Sequence, residues 1–349
     1  MSRVLGPRDP PSASGGGGAW RRSRRLAGVV VLLAVGAEAQ DTPREAVPPR
    51  LGTEGLARSL DGERRARLEE ALQSGAHEQA EALLVEAIER APDSPDLLRL
   101  LGGVFFVQGR YLNAAVALKK AEALSPLDAR SRLTLVMSYV VLGRRDWARP
   151  ELERLARDDP KSPLYPYWTA RLDYDDRRYA EAVKGFLHAV ALDPGFMKAH
   201  DNLGLCYEAL GRYDDAVRSH EEAIRLNREL QPPSPWPALN LGILLTRLDR
   251  LDEALALFRE SLRADPRFPQ AHYQLGVTLE KKGRSAEAVP PLVEAARLDP
   301  DYPEPHYALA RIHRRNGAVA RADEALATFQ RLRKEKEGKD EGPSGPRAR

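Results

Sequence analysis

Apolar residues recur three and four positions apart along most of the chain, which is the spacing of one face of an α-helix. These stripes come in pairs separated by a short turn, and the pair itself repeats. Proline stands at the end of successive pairs, at Pro92, Pro126, Pro160, Pro194, Pro266 and Pro300. Proline cannot continue a helix, so each one marks the stop of a second helix. The pattern predicts an all-α chain built from helix pairs.

The spacing of these prolines is 34 residues, apart from one gap of 72. That gap equals one period of 34 plus one of 38, which indicates a four-residue insertion in the proline-rich stretch 232–237. Self-similarity at this period is the signature of a repeat array. The predicted repeats begin near 61, 95, 129, 163, 197, 235, 269 and 303, and the array covers residues 61–330.

Four positions, counted from the start of each repeat, carry recurring residue types. Position 20 is alanine in all eight repeats, position 8 is mostly glycine or alanine, position 15 is mostly glycine, and position 24 is mostly bulky and apolar. Small residues at positions 8 and 20 are expected to let the two helices of a repeat approach closely, for example Gly204 against Ala216. Glycine at position 15 permits a tight turn between the helices.

The pattern resembles the tetratricopeptide repeat family, and the resemblance covers residues 61 to about 330. It is clearest in repeat 2, with Leu101, Gly102, Phe105, Gly109, Tyr111, Ala114, Leu118, Ala121 and Pro126. The resemblance implies a right-handed superhelical solenoid of about eight helix-turn-helix repeats. It also implies that the first helices line a concave groove, which binds a protein or an extended peptide.

In that family the groove is lined by positions 2, 5, 6, 9, 12 and 13. This sequence places there Tyr167, Trp168, Arg171 and Tyr174 in repeat 4, and Tyr273, Tyr307, Arg311, Arg314 and Arg315 in repeats 7 and 8. Position 6 carries Asn202, Asn240 and Gln274 in three consecutive repeats. An amide both donates and accepts, so this amide ladder is expected to face the groove and to bond a peptide backbone. Aromatic and arginine side chains supply the anchors that interfaces favour.

A second interpretation of the groove positions stays open. Repeats 2 and 3 place mainly apolar residues there, namely Leu100, Phe106, Val107, Thr134, Met137, Val140 and Val141. These residues either form an apolar wall that contacts a ligand or pack between helices as part of the core. Asparagine at position 6 is likewise either a ligand contact or a neutral surface residue.

The N-terminal segment has the order of a secretory signal peptide. A basic cluster, Arg21 to Arg25, precedes a 12-residue apolar run from Leu26 to Ala37, and Ala37-Glu38-Ala39 is a small-residue cleavage pattern. We expect residues 1–39 to be removed, with 40–60 as a linker. The alternatives are an uncleaved membrane anchor, which is the one case in which a membrane is a partner, and a hydrophobic segment of an internal protein.

Charge and motifs bound the remaining functions. The formal net charge is +3, but residues 1–39 contribute +4 of it, so the body is near neutral and a nucleic-acid partner is not expected. Cys206 is the only cysteine, and no G-x-x-x-x-G-K or G-x-S-x-G motif occurs. His77 and His220 each begin a near miss to H-E-x-x-H that lacks the second histidine. We therefore expect no catalytic residue, metal, cofactor or small-molecule substrate.

The sequence thus predicts a non-catalytic scaffold or assembly factor that is secreted or periplasmic. The repeat array is expected to be followed by a charged disordered tail over residues 331–349. The alternative is a substrate-presenting or regulatory subunit of a separate transferase or protease, which would use the same groove.

Overall fold

A computed structural model describes residues 60–340, with side chains up to residue 338, so the predicted signal peptide lies outside the described residues. In this range the chain forms sixteen α-helices and no β-strand. The first four pairs of helices are α1 (Gly62–Gln73) and α2 (His77–Arg90), α3 (Pro95–Val107) and α4 (Tyr111–Leu124), α5 (Ala129–Val141) and α6 (Arg145–Asp158), and α7 (Leu164–Asp175) and α8 (Tyr179–Leu192).

The last four pairs are α9 (Met197–Ala209) and α10 (Tyr213–Asn227), α11 (Trp236–Arg247) and α12 (Leu251–Ala264), α13 (Pro269–Lys281) and α14 (Ser285–Leu298), and α15 (Pro303–Arg315) and α16 (Val319–Asp340). Each second helix packs against the first helix of its own pair and against that of the next pair. This nearest-neighbour stacking makes the protein an all-α solenoid.

The turn between the two helices of a pair requires a left-handed residue at position 15. Gly211 has φ +72° there, and five other repeats also use glycine with positive φ. Arg177 and Asp249 occupy the same position in repeats 4 and 6, with φ of 60° and 64°. The turn geometry is therefore kept where glycine is absent, although a Cβ atom is sterically disfavoured in the left-handed region of φ/ψ space.

The small residue at position 8 lies against position 24 more than against position 20. A Cβ atom added at Gly242 would stand 2.5 Å from Cε1 of Phe258, and one added at Gly276 would stand 2.5 Å from Cγ of Leu292. Position 8 also meets position 20 in repeat 7, where a Cβ atom added at Gly276 would stand 3.1 Å from the carbonyl oxygen of Ala288. At Gly204 the three nearest atoms belong to the His220 ring, and the contact with Ala216 stays a prediction. Alanine at position 20 is nevertheless fully buried in every repeat, as close helix packing demands.

The C-terminal helix differs from the sequence-based expectation. α16 continues to Asp340, although the repeat pattern ends near residue 330 and a disordered tail was expected from 331. Leu332 is buried, so the first turn beyond the pattern still packs on the array. Further along, Arg331–Glu335 and Arg333–Glu337 form exposed ion pairs four residues apart, which support an isolated helix.

Candidate peptide-binding surface

The aromatic residues of repeat 4 lie inside the array and do not line an open groove. Tyr167 and Trp168 are each 2% exposed, and their rings meet edge to face at 5.5 Å. Arg171 and Tyr174 are 5% and 6% exposed. Arg171 donates to Asn202 Oδ1 at 2.7 Å, so the first helix of the next repeat covers this group. The four residues are therefore buried where exposure was expected, and binding of a ligand by them is untested.

The amide ladder is buried as well, which corrects the expectation that position 6 is exposed. Asn202, Asn240 and Gln274 are 0%, 3% and 7% exposed. Asn202 Nδ2 donates to the Lys198 carbonyl at 2.8 Å and lies 3.3 Å from the Tyr167 hydroxyl. Asn240 Nδ2 donates to Asp201 Oδ2 at 3.0 Å. Two of the three amides therefore join neighbouring repeats. Binding to a peptide by any of them is untested.

A buried polar cluster around His220 was missed at the sequence level. His220 is fully buried, and its Nδ1 lies 2.7 Å from Asp201 Oδ1 while its Nε2 lies 3.0 Å from Glu208 Oε1. Arg247, from the first helix of repeat 6, forms an ion pair with the second oxygen of Glu208. Carboxylates only accept, so both ring contacts are hydrogen bonds when each nitrogen carries a proton. We call Asp201, Glu208, His220, Asn240 and Arg247 the joint cluster.

A sequence signal for the joint cluster did exist. His220 occupies position 24 of repeat 5, where the other repeats carry leucine or phenylalanine. A polar side chain in a core position requires buried partners. The H-E-x-x-H spacing concerns only the residues next to His220 in sequence, whereas the informative feature is its position in the repeat.

The exposed part of the predicted site lies on α13 and α15. Tyr307 is 47% exposed, and the side chains of Arg311, Arg314 and Arg315 are 50%, 62% and 52% exposed. Tyr273 is half-buried, with its ring 5.3 Å from that of Tyr302. We call Tyr273, Tyr307, Arg311, Arg314 and Arg315 the C-terminal patch. It presents aromatic faces and cations together, the combination that favours a protein ligand.

The ionisation of the C-terminal patch follows from its contacts. Hydrogen bonding to Glu280 raises the pKa of Arg311, although desolvation opposes the effect. Burial, reinforced by Glu304, raises the pKa of Tyr273 to about 12, so the phenol keeps its proton. Burial first, and Arg331 second, lower the pKa of the adjacent His306. At neutral pH the positive charge of the patch therefore belongs to its arginines.

The apolar wall of repeats 2 and 3 belongs mainly to the core. Leu100, Phe106, Thr134 and Met137 are buried, and among the groove positions of these repeats only Val141 is a substantially exposed apolar residue, at 41%.

Burial raises the pKa of the Cys206 thiol, which keeps that thiol in its unreactive protonated form. Among residues 60–338, no three histidine, cysteine or acidic side chains are arranged to hold a metal ion. No helix in the described range combines the length and the hydropathy required to cross a bilayer.

Comparison with known families covers more than half of the chain. Three models described as "Tetratricopeptide repeat" match residues 65–129 and 239–303, residues 196–267, and residues 105–171. Together they cover both the N-terminal repeats and the repeats around the joint cluster.

Similar proteins share only parts of their length with this chain. The peroxisomal targeting signal receptor of Saccharomyces cerevisiae is 26% identical over 217 residues, covering 58% of this chain and 34% of the receptor. The Hsp70-Hsp90 organizing protein 1 of Glycine max is 28% identical over 125 residues, covering 36% of this chain and 21% of that protein. The chain thus spans about a third or less of the length of these two relatives.

Among solved structures, yeast Tom70 aligns with a TM-score of 0.59 at 17% identity. The alignment covers 86% of this chain and 65% of Tom70. At this identity the likeness concerns the fold.

Proposed function

Because this chain belongs to the tetratricopeptide repeat family, we propose that it is a non-catalytic scaffold that binds an extended segment of a partner protein through the C-terminal patch. The observation that carries the proposal is exposure. Of the aromatic and arginine side chains predicted to line the groove, Tyr307, Arg311, Arg314 and Arg315 are those that the structure leaves substantially open to solvent. Tyrosine and arginine are also the residue types that dominate binding energy at interfaces.

The geometry of the patch suits an extended ligand. Cζ of Arg311 lies 5.7 Å from the centroid of the Tyr307 ring, and the centroid of the Phe329 ring lies 5.1 Å from it. The ring is thus held by its neighbours while nearly half of the residue remains accessible. A preordered aromatic anchor loses little conformational entropy on binding. The names of the two relatives, a targeting signal receptor and an organizing protein, support a role in handling other proteins.

Site-specific cross-linking tests this assignment. A benzophenone amino acid at position 307 is expected to capture one recurring partner peptide, because that position lies in the proposed interface. The matched control is position 293 on α14, where Val293 is also half exposed, at 50%, but belongs to a second helix. Mass spectrometry of the adducts identifies the peptide. Recurrent adducts at position 293 with none at position 307 would place the interface on the other face.

We also propose that the scaffold acts outside the cytoplasm, on the basis of the basic, apolar and small-residue order of residues 21–39. The mature chain is then expected to begin at Gln40. N-terminal sequencing of the protein from its native host measures this directly. Recovery of residues 1–39 on protein from the soluble cytosolic fraction would contradict secretion, and their recovery on membrane-bound protein would identify an anchor.

A further inference from the structure

Two arginines of α15 converge on one buried carboxylate. Arg311 Nε lies 3.1 Å from Glu280 Oε1, its Nη2 contacts Oε2, and Arg315 Nη2 lies 3.3 Å from Oε1. The Glu280 side chain is 6% exposed, whereas those of Arg311 and Arg315 are 50% and 52% exposed. The anion therefore lies beneath the cations, and an approaching molecule meets the guanidinium groups first.

Glu280, Arg311 and Arg315 form a triad in which positive charge and hydrogen-bond donors are both in excess. Two guanidinium groups and one carboxylate leave one net positive charge. Each guanidinium has five N–H donors, while a carboxylate offers about four acceptor sites. Arg315 also donates to Ser285 Oγ at 2.6 Å, but most of the donors of the pair remain for other acceptors.

In the ion pairs of the two residues that follow Glu280 in sequence, the acid is more exposed than the base. Lys281 is 42% exposed and its partner Asp249 is 78% exposed, and Lys282 is 31% exposed against 81% for Asp252. In these pairs the acid stands outward and screens the lysine. The Arg311–Arg315 pair differs because its compensating charge is buried.

We propose that the segment bound at the C-terminal patch is acidic, with a carboxylate on Arg311 and Arg315 and an adjacent apolar side chain on Tyr307. This inference rests on the proposed function and names the chemistry of its ligand. A carboxylate forms charge-assisted hydrogen bonds with the free guanidinium edges, and such bonds are stronger than those of a neutral amide. The accessible Tyr307 ring offers apolar area directly beside them.

A competing explanation for these arginines is the negative end of the α15 dipole. That field acts within the last turn of a helix, which contains Arg314 and Arg315. Arg311 lies one turn earlier and is held by Glu280 from α13. The dipole therefore does not account for the convergence of two arginines on the same carboxylate.

Two fluorescein-labelled peptides test the proposal by fluorescence anisotropy, one alternating Glu with Leu and the other alternating Gln with Leu. The full-length mature chain is expected to bind the Glu peptide at least about tenfold more tightly at low ionic strength, since one charge-assisted contact is worth about that factor or more. The difference is expected to shrink as salt screens the exposed charges.

Variants of the triad carry predictions of opposite sign. Glu280→Gln removes the buried anion and is expected to tighten binding of the Glu peptide, whereas the double variant R311Q/R315Q is expected to abolish its advantage over the Gln peptide. Because the double variant leaves Glu280 without its arginines, the triple variant E280Q/R311Q/R315Q provides a neutral version that tests the same loss. Arg297→Gln is the control, since Arg297 is an exposed arginine on α14, at 65%, whose partner Glu294 is also accessible, at 34%.

Each outcome separates this inference from the proposed function. Equal affinity of the wild-type chain for the two peptides overturns the acidic preference and leaves the scaffold intact. Absence of binding to either peptide, with a partner still cross-linked at position 307, likewise overturns the acidic preference alone. If R297Q loses as much affinity for the Glu peptide as the triple variant does, the acidic segment binds elsewhere and the assignment to this triad is wrong.

Discussion

Replacement of His220 by alanine is expected to lower the free energy of unfolding by about 3–5 kcal/mol, because it removes a buried ring that contacts two buried carboxylates and leaves both carboxylates without that partner. Asp201 and Glu208 are 2% and 5% exposed, so neither can regain full hydration while the repeats stay packed. The substitution also opens a cavity where the imidazole fills the space facing Gly204. Urea unfolding of the full chain, followed by circular dichroism, measures the effect.

Two further variants separate charge from packing at this position. His220→Phe fills the site with the side chain that repeats 4 and 6 carry there, Phe186 and Phe258, but it leaves the carboxylates without the ring. The triple variant D201N/E208Q/H220F removes both buried carboxylates as well and leaves Arg247 as the charged member of the joint cluster. It is expected to recover most of the lost stability, because a buried carboxylate that has lost its partner is the costly group and the Arg247 side chain is 28% exposed. If His220→Phe alone is as stable as wild type, the ring does not compensate the two carboxylates.

Replacement of Asn202 and Asn240 by alanine is the second large effect expected. Each substitution should cost about 1–3 kcal/mol, because each removes a buried hydrogen bond and leaves its partner group less satisfied. Asn202 bonds Arg171 from the preceding repeat, and Asn240 bonds Asp201 in the same way. Hydrogen exchange is expected to quicken most in α9 and α11, since a solenoid weakens where neighbouring repeats separate.

Gln274→Ala is the matched control for the amides. Gln274 has the same position in its repeat and is also buried, but the described residues offer its side chain no hydrogen-bond partner. A smaller loss of stability is therefore expected. A double variant of Asn202 and Asn240 that keeps wild-type stability but loses affinity for the partner would restore the interpretation of these amides as ligand contacts.

Repeat-level features were predictable because they depend on residues close in sequence. The alanine at position 20 and the proline stops act within one helix pair, where spacing alone determines which side chains meet. Even the two repeats without glycine at the turn, with Arg177 and Asp249, adopt the same left-handed backbone. The surrounding helices hold that conformation, so the period of the array was a better guide than the residue type.

Accessibility of the groove positions was not predictable in the same way. Position 6 faces the groove in the family, and its amides were therefore expected to be exposed. In this chain Asn202 instead bonds Arg171, 31 residues away, and Asn240 bonds Asp201, 39 residues away. Whether a side chain at that position is free or bonded depends on how closely the next first helix approaches, and the repeat pattern does not encode that distance.

The sequence by itself thus determined the helix pairs, their period and the family. Only the tertiary structure decided which groove residues remain exposed, such as Tyr307 and the three arginines of the C-terminal patch, and which bond to a neighbouring repeat. It also brought His220 between Asp201 and Glu208 and set Glu280 beneath Arg311 and Arg315. The physical reason is the distance along the chain between the interacting residues. Helices and turns follow from neighbours in sequence, whereas burial and charge pairing depend on contacts between helices that form only when the repeats stack.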